Sequence, residues 1–234
     1  LPSGSICIKR ALSKLKVHAD WNAPIERNAY EVAWMQVVAK IIPKQVPTIL
    51  AHDPKVGMFA MPFLEPNKFR LWKTDLLAGK VDPKFAGAAG SALAKIHGAT
   101  MDNRKIAQDF ATDAIFHSIR LEPYLEATAR VHADVAEPLY ELAANIKKTQ
   151  KALVHGDISP KNIMVSPNGP MFLDAECACY GDPAFDLAFC LNHLLLKCLH
   201  QPNAKNAYLE SFEHMASYYL QNFERVHAKE IERR

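Results

Sequence analysis

The sequence predicts an α+β chain in two lobes. A small, partly β N-terminal lobe covers residues 1–64 and a larger, mainly helical lobe covers residues 65–234. Three observations carry this reading. Strand-like apolar runs in the first lobe fall around residue 8 and on either side of Asp53-Pro54. A connector over residues 62–66, carrying two prolines, follows them. Beyond it apolar residues recur mostly at helical spacing, interrupted by one patch of three short apolar runs.

Residues 5–11 alternate, with Ile6 and Ile8 on one face and Cys7 and Lys9 on the other, and read as a strand. A polar, poorly patterned link follows. Tyr30, Trp34, Val37, Val38 and Ile41 recur at helical spacing until Pro43 stops the run. Residues 46–51 and 56–61 read as two further strands, with Asp53-Pro54 as the turn between them. Asp82-Pro83 supplies an N-cap and a first-turn proline for a helix lined by Phe85, Ala89, Leu93 and Ile96. Val135, Leu139, Leu142, Ala143 and Ile146 form another apolar stripe. Residues 152–154, 163–165 and 171–173 read as short strands, with Asn168-Gly169 as a tight turn. Asp182-Pro183 starts another helix. Helical patterning then fills most of the C-terminus, including residues 212–223, and ends on a charged helical pattern. The stripe Leu187, Leu191, Leu194, Leu195 and Cys198 is assigned to the core, as are Trp34, Phe59 and Phe63. His193 is assigned as a satisfied core histidine with no metal role.

Composition excludes several classes. Hydrophobic residues at 49% and charged residues at 23% are those of a globular chain, not of a disordered or fibrous one. Lys plus Arg is 28 against 25 acids, a net charge of +3, too mild and too evenly spread to argue for nucleic acid or a charged membrane surface. The longest apolar stretch, residues 187–199, is broken by Asn192, His193 and Lys197 and is too short to span a bilayer. No signal peptide opens the chain. The five cysteines lack CxxC and zinc spacing, so they read as buried thiols in a reducing, cytoplasmic compartment. The chain starts at Leu1 and not Met, which reads as a piece of something longer.

The chemistry concentrates in His155-Gly156-Asp157-Ile158-Ser159-Pro160-Lys161-Asn162. An Asp stands at the mouth of one short strand, an Asn five residues later opens the next, and Asp174 ends a third run. These oxygen-rich side chains, held in one cleft, orient a hydroxyl and bind a hard cation such as Mg²⁺. Protein kinases use H-R-D-L-x-x-x-N and D-F-G in this way. An H-x-D-x-x-x-x-N match alone arises by chance in roughly a few per cent of chains this long. It becomes specific when Asp174 follows at a one-hairpin distance and Gly181-Asp182-Pro183-Ala184-Phe185-Asp186 follows that. Together with Leu173-Asp174-Ala175-Glu176, these segments resemble the aminoglycoside phosphotransferase and choline kinase-like family, small-molecule kinases with a protein-kinase-like fold. The resemblance runs from Lys9 to about Phe223, and its sharp part is residues 154–188.

The resemblance implies ATP and Mg²⁺ as cofactors and a role for each residue. Asp157 is the catalytic carboxylate that orients, and can deprotonate, the acceptor hydroxyl. Asn162 and Asp174 are the Mg²⁺ ligands. Glu176, two residues beyond Asp174, is a second-rank ligand or, alternatively, a solvent-facing or helix-capping acid. Asp186 is the buried Asp that holds the catalytic loop, and His155 packs beneath that loop. Lys9, a surface snorkeler when read alone, becomes the phosphate-gripping Lys, with Glu31 as its helix partner and Glu26 as the competitor. Pro62 and Leu64 supply the carbonyl and N–H of a hinge that reads adenine; proline lacks only the donor.

Two departures shape the functional reading. No glycine-rich loop precedes Lys9, where only Ser3-Gly4-Ser5 remains, so the hairpin that precedes this Lys in the family is expected to be missing. Ser159 stands where protein kinases place a Lys two residues after the catalytic Asp, and no A-P-E follows Asp174. The expectation is therefore a small-molecule kinase acting on a hydroxyl of a sugar-like, aminoglycoside-like or amino-alcohol acceptor. The alternatives are a catalytically inactive kinase-like module or fragment and, less so, a protein kinase. Asp113, Glu122, Tyr124 and Arg120 are candidate acceptor contacts, read first as ordinary helix-surface residues.

Overall fold

The computed structural model describes residues 4–13 and 23–223. Ser3 of Ser3-Gly4-Ser5, most of the polar link and the charged pattern after Phe223 lie outside the described residues. The N-terminal sheet is antiparallel, in the order β1-β3-β2, from β1 (Ile6–Arg10), β2 (Ala51–Asp53) and β3 (Met58–Pro62). Lys9 stands opposite Phe59 and Ile6 opposite Pro62. The alternation of β1 turns Ile6 and Ile8 outward and leaves Cys7 and Lys9 half-buried. Helix α1 (Arg27–Ile41) buries Glu31, Val32, Trp34, Met35 and Val38, and stops two residues before Pro43.

Three expectations in this lobe are corrected. The strand expected over 46–51 shrinks to 51–53. Pro47 has no N–H for a ladder, so pairing begins only where Leu50 N reaches Ala60 O at 2.8 Å. The strand expected over 56–61 runs from Met58 to Pro62, because Gly57, at φ 61°, still belongs to the turn. Pro62 thus closes β3, and the connector begins after it. Phe63, expected in the core, is 43% exposed, one residue past the end of the strand.

The second lobe contains β4 (Arg70–Leu71), α2 (Trp72–Leu77), α3 (Pro83–Thr100), α4 (Arg104–Asp109) and α5 (Asp113–Phe116). A π-helical stretch (His117–Glu126), α6 (Ala127–Val131) and α7 (Ala136–Lys148) follow. Strands β5 (Ala152–Val154), β6 (Ile163–Ser166), β7 (Gly169–Phe172) and β8 (Cys179–Gly181) precede α8 (Pro183–His200) and α9 (Lys205–Asn222). β4, β6 and β7 form one small antiparallel sheet, and β5 pairs with β8. Both Asp-Pro starts behave as caps. Asp82 Oδ1 accepts the N–H groups of Lys84 and Phe85 at 2.9 and 3.3 Å, and Asp182 Oδ1 that of Ala184 at 3.0 Å. α3 packs on α9 so closely that a Cβ at Gly90 would collide with the carbonyl of Met215.

One apolar core runs beneath both lobes. Trp34 and Phe59 join Trp72, Leu76, Leu93, Ile96, Phe172, Tyr208 and Tyr219 in it. The buried seam of α8 is Leu187, Cys190, Leu194 and Cys198, at spacings of three, four and four. Leu195, expected on that seam, is 43% exposed, and His193 is half-buried at its margin and not in the core. The α7 stripe forms a helix but buries only Ala143; its Leu142 and Ile146 border an open apolar cavity of about 570 Å³ with Leu125, Phe185 and Phe189. All five cysteines are free thiols. No helix among the described residues is long and apolar enough to cross a membrane.

Candidate active site

The loop between β5 and β6 carries Asp157 and Asn162, and its start is held by buried hydrogen bonds. Gly156 has φ 78°, and a Cβ there would lie 2.6 Å from the carbonyl oxygen of Cys177, so only glycine fits. Asp186, in the first turn of α8 and fully buried, accepts the N–H of His155 at 2.7 Å and that of Gly156 at 2.9 Å. His97 of α3 lies with Nε2 3.3 Å from Asp186 Oδ2 and Nδ1 2.8 Å from the hydroxyl of Tyr219 on α9. The loop is therefore pinned to three helices through one carboxylate. His155 accepts the Asp157 N–H on Nδ1 at 3.1 Å, so Nε2 carries the proton toward Leu173 O at 3.0 Å. Its ring also meets Trp34 edge-on at 4.8 Å. Burial pushes the imidazole below its usual pKa, despite Asp186 nearby, which suits a neutral spacer beneath the loop.

Asp157 is buried, and both cationic neighbours bind the same oxygen. Oδ2 receives Arg120 Nη2 at 2.7 Å and Lys161 Nζ at 2.8 Å. Neither of these contacts uses Oδ1. Asn162 Nδ2 donates to the Asp157 carbonyl at 3.0 Å, which keeps its own side-chain oxygen available as a ligand. Asp174 follows β7, across the Asn168-Gly169 turn, and adopts φ 69°. That conformation is uncommon outside glycine, and such residues gather at functional sites.

The N-terminal lobe reaches this loop through two ion pairs. Lys9 Nζ donates to Glu31 Oε1 at 2.7 Å and also to Asp174 Oδ1. Glu31, and not the exposed Glu26, is its helix partner. Burial alone would lower the Lys9 pKa; the two carboxylates override it and hold the ammonium above its ordinary value. Burial likewise opposes ionisation of Asp174, but Lys9 pulls that carboxyl below its usual range. For Glu31, burial wins against Lys9 and pushes the pKa up to about 7; its second oxygen is buried without a hydrogen bond. The other ion pair joins Arg27 Nε to Glu176 Oε2 at 2.8 Å. Arg27 also donates to the carbonyls of Leu12, Ala23 and Pro24, so the direction of Glu176 is set from α1.

The donor set suits Mg²⁺. Among the described residues no group of three or more His, Cys, Asp or Glu side chains is placed to hold a metal on its own. Mg²⁺ commonly takes one or two protein oxygens and completes its shell with phosphates and water. Asn162 Oδ1 and the Asp174 carboxylate are hard oxygen donors of that kind; Glu176 is another, with its Oε2 on Arg27.

Pro62 and Leu64, the expected hinge pair, lie at the end of β3. Phe63 N–H bonds Ser5 O at 3.0 Å, and bonded and non-bonded pairs alternate in an antiparallel ladder. The adjacent Ile6–Pro62 pair is thus non-bonded, and the Pro62 carbonyl points away from β1. Leu64 follows outside the sheet.

Two residues that contact Asp157 were not expected to do so from the sequence. Arg120, read as a helix-surface charge, is only 5% exposed, because the π-helical turn of His117–Glu126 aims it inward at Asp157 and at the carbonyl of Gly156, 2.6 Å away. Its flanking Ile119 and Leu121 and the interrupting Pro123 are the only sequence hint. Lys161 lies within the motif, four residues after Asp157. Of the other acceptor candidates, Asp113 accepts from Gln150 at 3.1 Å, Glu122 pairs with Arg130, and Tyr124 is exposed.

Comparison with known proteins gives matches along almost the whole chain. The family model described as "Phosphotransferase enzyme family" matches residues 15–218. Methylthioribose kinase 1 of Oryza sativa subsp. japonica is 26% identical over 230 residues, covering 85% of this chain and 53% of the relative. A methylthioribose kinase of Bacillus cereus is 27% identical over 255 residues, covering 95% and 63%. This chain thus spans less than two thirds of the length of these relatives. The structure of a Plasmodium vivax ethanolamine kinase matches with a TM-score of 0.56 at 15% identity, over 97% of this chain and 64% of that one. The choline kinase LicA from Streptococcus pneumoniae matches with a TM-score of 0.52 at 17% identity, over 94% and 75%. These structural likenesses show a kinase-like fold.

Proposed function

The chain belongs to the phosphotransferase enzyme family, and from that premise we propose that the protein is an ATP-dependent kinase of a small hydroxyl compound. The observation that carries the reading is the Lys9 ammonium, which ties Glu31 on α1 to Asp174 on the far side of the cleft. The pairing supports reading Lys9 as a phosphate-binding cation beside a metal-binding carboxylate. In this reading residues 1–64 form the nucleotide-side lobe, with Pro62 and Leu64 at the adenine edge. Residues 65–234 form the catalytic and acceptor lobe. The methylthioribose kinases among its relatives favour a sugar-like acceptor. Free thiols and a phosphoryl donor of the cell interior fit the cytoplasm.

Asn162 and Asp174 would hold Mg²⁺, which supplies charge neutralisation on the nucleotide phosphates. Glu176, whose Oε2 meets Arg27, is the second-rank candidate for that shell. The remaining work belongs to the chain. Lys9 grips phosphate oxygens, and Glu31 keeps Lys9 aimed. Asp157 turns Oδ1 to the acceptor hydroxyl while Arg120 and Lys161 fix Oδ2. The acceptor oxygen forms a bond to the γ-phosphorus as the bond to the β-phosphate oxygen breaks. The hydroxyl proton passes to Asp157, and ADP leaves. Catalysis is thus positioning and electrostatics. Asp157→Asn keeps the size and the hydrogen bonds of an acceptor oxygen but removes the base, so transfer should fall by about 10²–10⁴-fold. Calorimetry of Mg·ATP binding should find its affinity retained. Undiminished turnover in the variant sinks the reading.

A further inference from the structure

A buried row of hydrogen bonds runs from α9, the last described helix, to the turn that precedes Asp157. Helix α9 approaches α3 closely because Gly90 has no Cβ to strike the Met215 carbonyl. His97 lies seven residues after Gly90 on α3, and Tyr219 four after Met215 on α9, so both belong to the helix faces that meet. The Tyr219 hydroxyl is 2.8 Å from His97 Nδ1, and His97 Nε2 is 3.3 Å from Asp186 Oδ2. The two rings also meet edge-on at 5.7 Å. Asp186 then accepts the N–H groups of His155 and Gly156, at 2.7 and 2.9 Å. Tyr219, His97 and Asp186 are all fully buried.

Elementary chemistry gives each bond its direction. A carboxylate only accepts, so His97 Nε2 carries its proton toward Asp186. Nδ1 of the neutral imidazole is then an acceptor, and the Tyr219 O–H donates to it. The opposite tautomer would set a lone pair against Asp186 Oδ2 in a site closed to solvent. The 3.3 Å link from Nε2 is the longest of the row, so it depends most on how the ring is turned, and Tyr219 holds the far side of that ring. Asp186 fixes the two N–H groups directly before Asp157, whose own N–H rests on His155 Nδ1 at 3.1 Å. A tilt of the Asp186 carboxylate is thus passed on to Asp157. Misplacing a reacting group by about 1 Å costs on the order of 10²-fold in rate.

We propose that His97 and Tyr219 are positioning residues for phosphoryl transfer: the Tyr219 hydroxyl orients the His97 ring, and the His97 Nε2–H steadies Asp186 and so aims Asp157. This rests on the kinase reading above and adds α9 to the parts on which the chemistry depends.

Tyr219→Phe removes the hydroxyl alone. Tyr208→Phe is its control: Tyr208 is also fully buried on α9, and its hydroxyl donates to the Leu76 carbonyl at 2.6 Å, outside the row that ends on Asp186. The full-length protein is assayed with Mg·ATP, and with ribose, ethanolamine and an aminoglycoside offered in turn. In Tyr219→Phe kcat should fall roughly tenfold at an unchanged KM for Mg·ATP; in Tyr208→Phe it should hold within about twofold. His97→Gln keeps an N–H donor at the reach of Nε2 and should retain most of the rate. His97→Asn reaches only as far as Nδ1 and should lose roughly tenfold or more. Nitrogen-15 NMR should show His97 protonated on Nε2 alone. The His155 and Gly156 amides should exchange with solvent roughly tenfold faster in Tyr219→Phe and not in Tyr208→Phe. A kcat loss shared by Tyr208→Phe, an unchanged kcat in Tyr219→Phe, or equal losses in the Gln and Asn variants overturns the proposal. So does a proton on His97 Nδ1, or amide protection that does not change. The NMR arm needs no acceptor, which keeps the two layers apart. If no acceptor is phosphorylated, faster exchange confined to Tyr219→Phe upholds the link from α9 to the loop while the kinase reading fails. Transfer that is indifferent to Tyr219 does the reverse.

Discussion

At the scale of single residues, the site depends on which atom of each carboxylate is already engaged. Asp157 has one oxygen held by two cations, and Asp174 has one held by Lys9. Glu31 has one oxygen on Lys9 and one buried without a partner, and its pKa near 7 follows from that burial. The sign of its pH effect is set by comparison with the ordinary value of 4.5. The folded state holds the proton more tightly than the unfolded chain, so stability contributed by this group is greatest below pH 4.5 and is lost as the pH rises to about 7. Glu31→Gln should remove that slope. Chemical denaturation at pH 5 and pH 7.5 should show the gap between the two pH values shrink by on the order of 3 kcal/mol relative to the unsubstituted protein. An unchanged gap would mean that Glu31 titrates near its ordinary value. The identities of these groups were legible in the sequence because oxygen-rich residues at fixed spacing have few other uses. Arg120 was not, because nothing local distinguishes an arginine on a helix surface from one that a π-helical turn aims inward.

At the scale of elements, α8 organises the loop that carries Asp157. Its cap, Asp182, starts the helix, and Asp186 one turn later carries the two backbone bonds that fix His155 and Gly156. Asp186→Ala strands these two N–H groups and His97 in a buried site. We expect a loss of about 3–5 kcal/mol, the cost of breaking a buried charged network, read as a lowered denaturation midpoint. A loss below about 1 kcal/mol, the worth of one ordinary hydrogen bond, would contradict this role. The Asp-Pro caps and the β5-to-β7 patch were readable because capping and turn chemistry is local. β4 and β8, at two and three residues, carry no period of their own and exist only through their partners β6 and β5. The strand at 46–51 was misread because apolar content outweighed Pro47. The seam of α8 was misplaced by one row, putting Leu195 in the core, because four-residue spacing alone ignores the drift of the helix.

At the scale of the molecule, two lobes share one core and meet over Lys9–Asp174 and Arg27–Glu176. Lys9 and Asp174 neutralise each other across the cleft. In the proposed reading Mg·ATP would take over both partners, the ammonium with phosphate and the carboxylate with metal. Asp174→Ala should therefore abolish the Mg²⁺ dependence of ATP binding; metal dependence that survives in that variant counts against the ligand assignment. Whether phosphoryl transfer itself occurs is decided most directly by following the labelled γ-phosphoryl of ATP into a hydroxyl acceptor, with the full-length protein and its Asp157→Asn variant side by side. We predict labelled acceptor from the first and about 10²–10⁴-fold less from the second, at similar Mg·ATP affinity. Equal label from both would contradict a catalytic role for Asp157, and none from a protein that binds Mg·ATP, with every acceptor offered, would contradict the kinase reading.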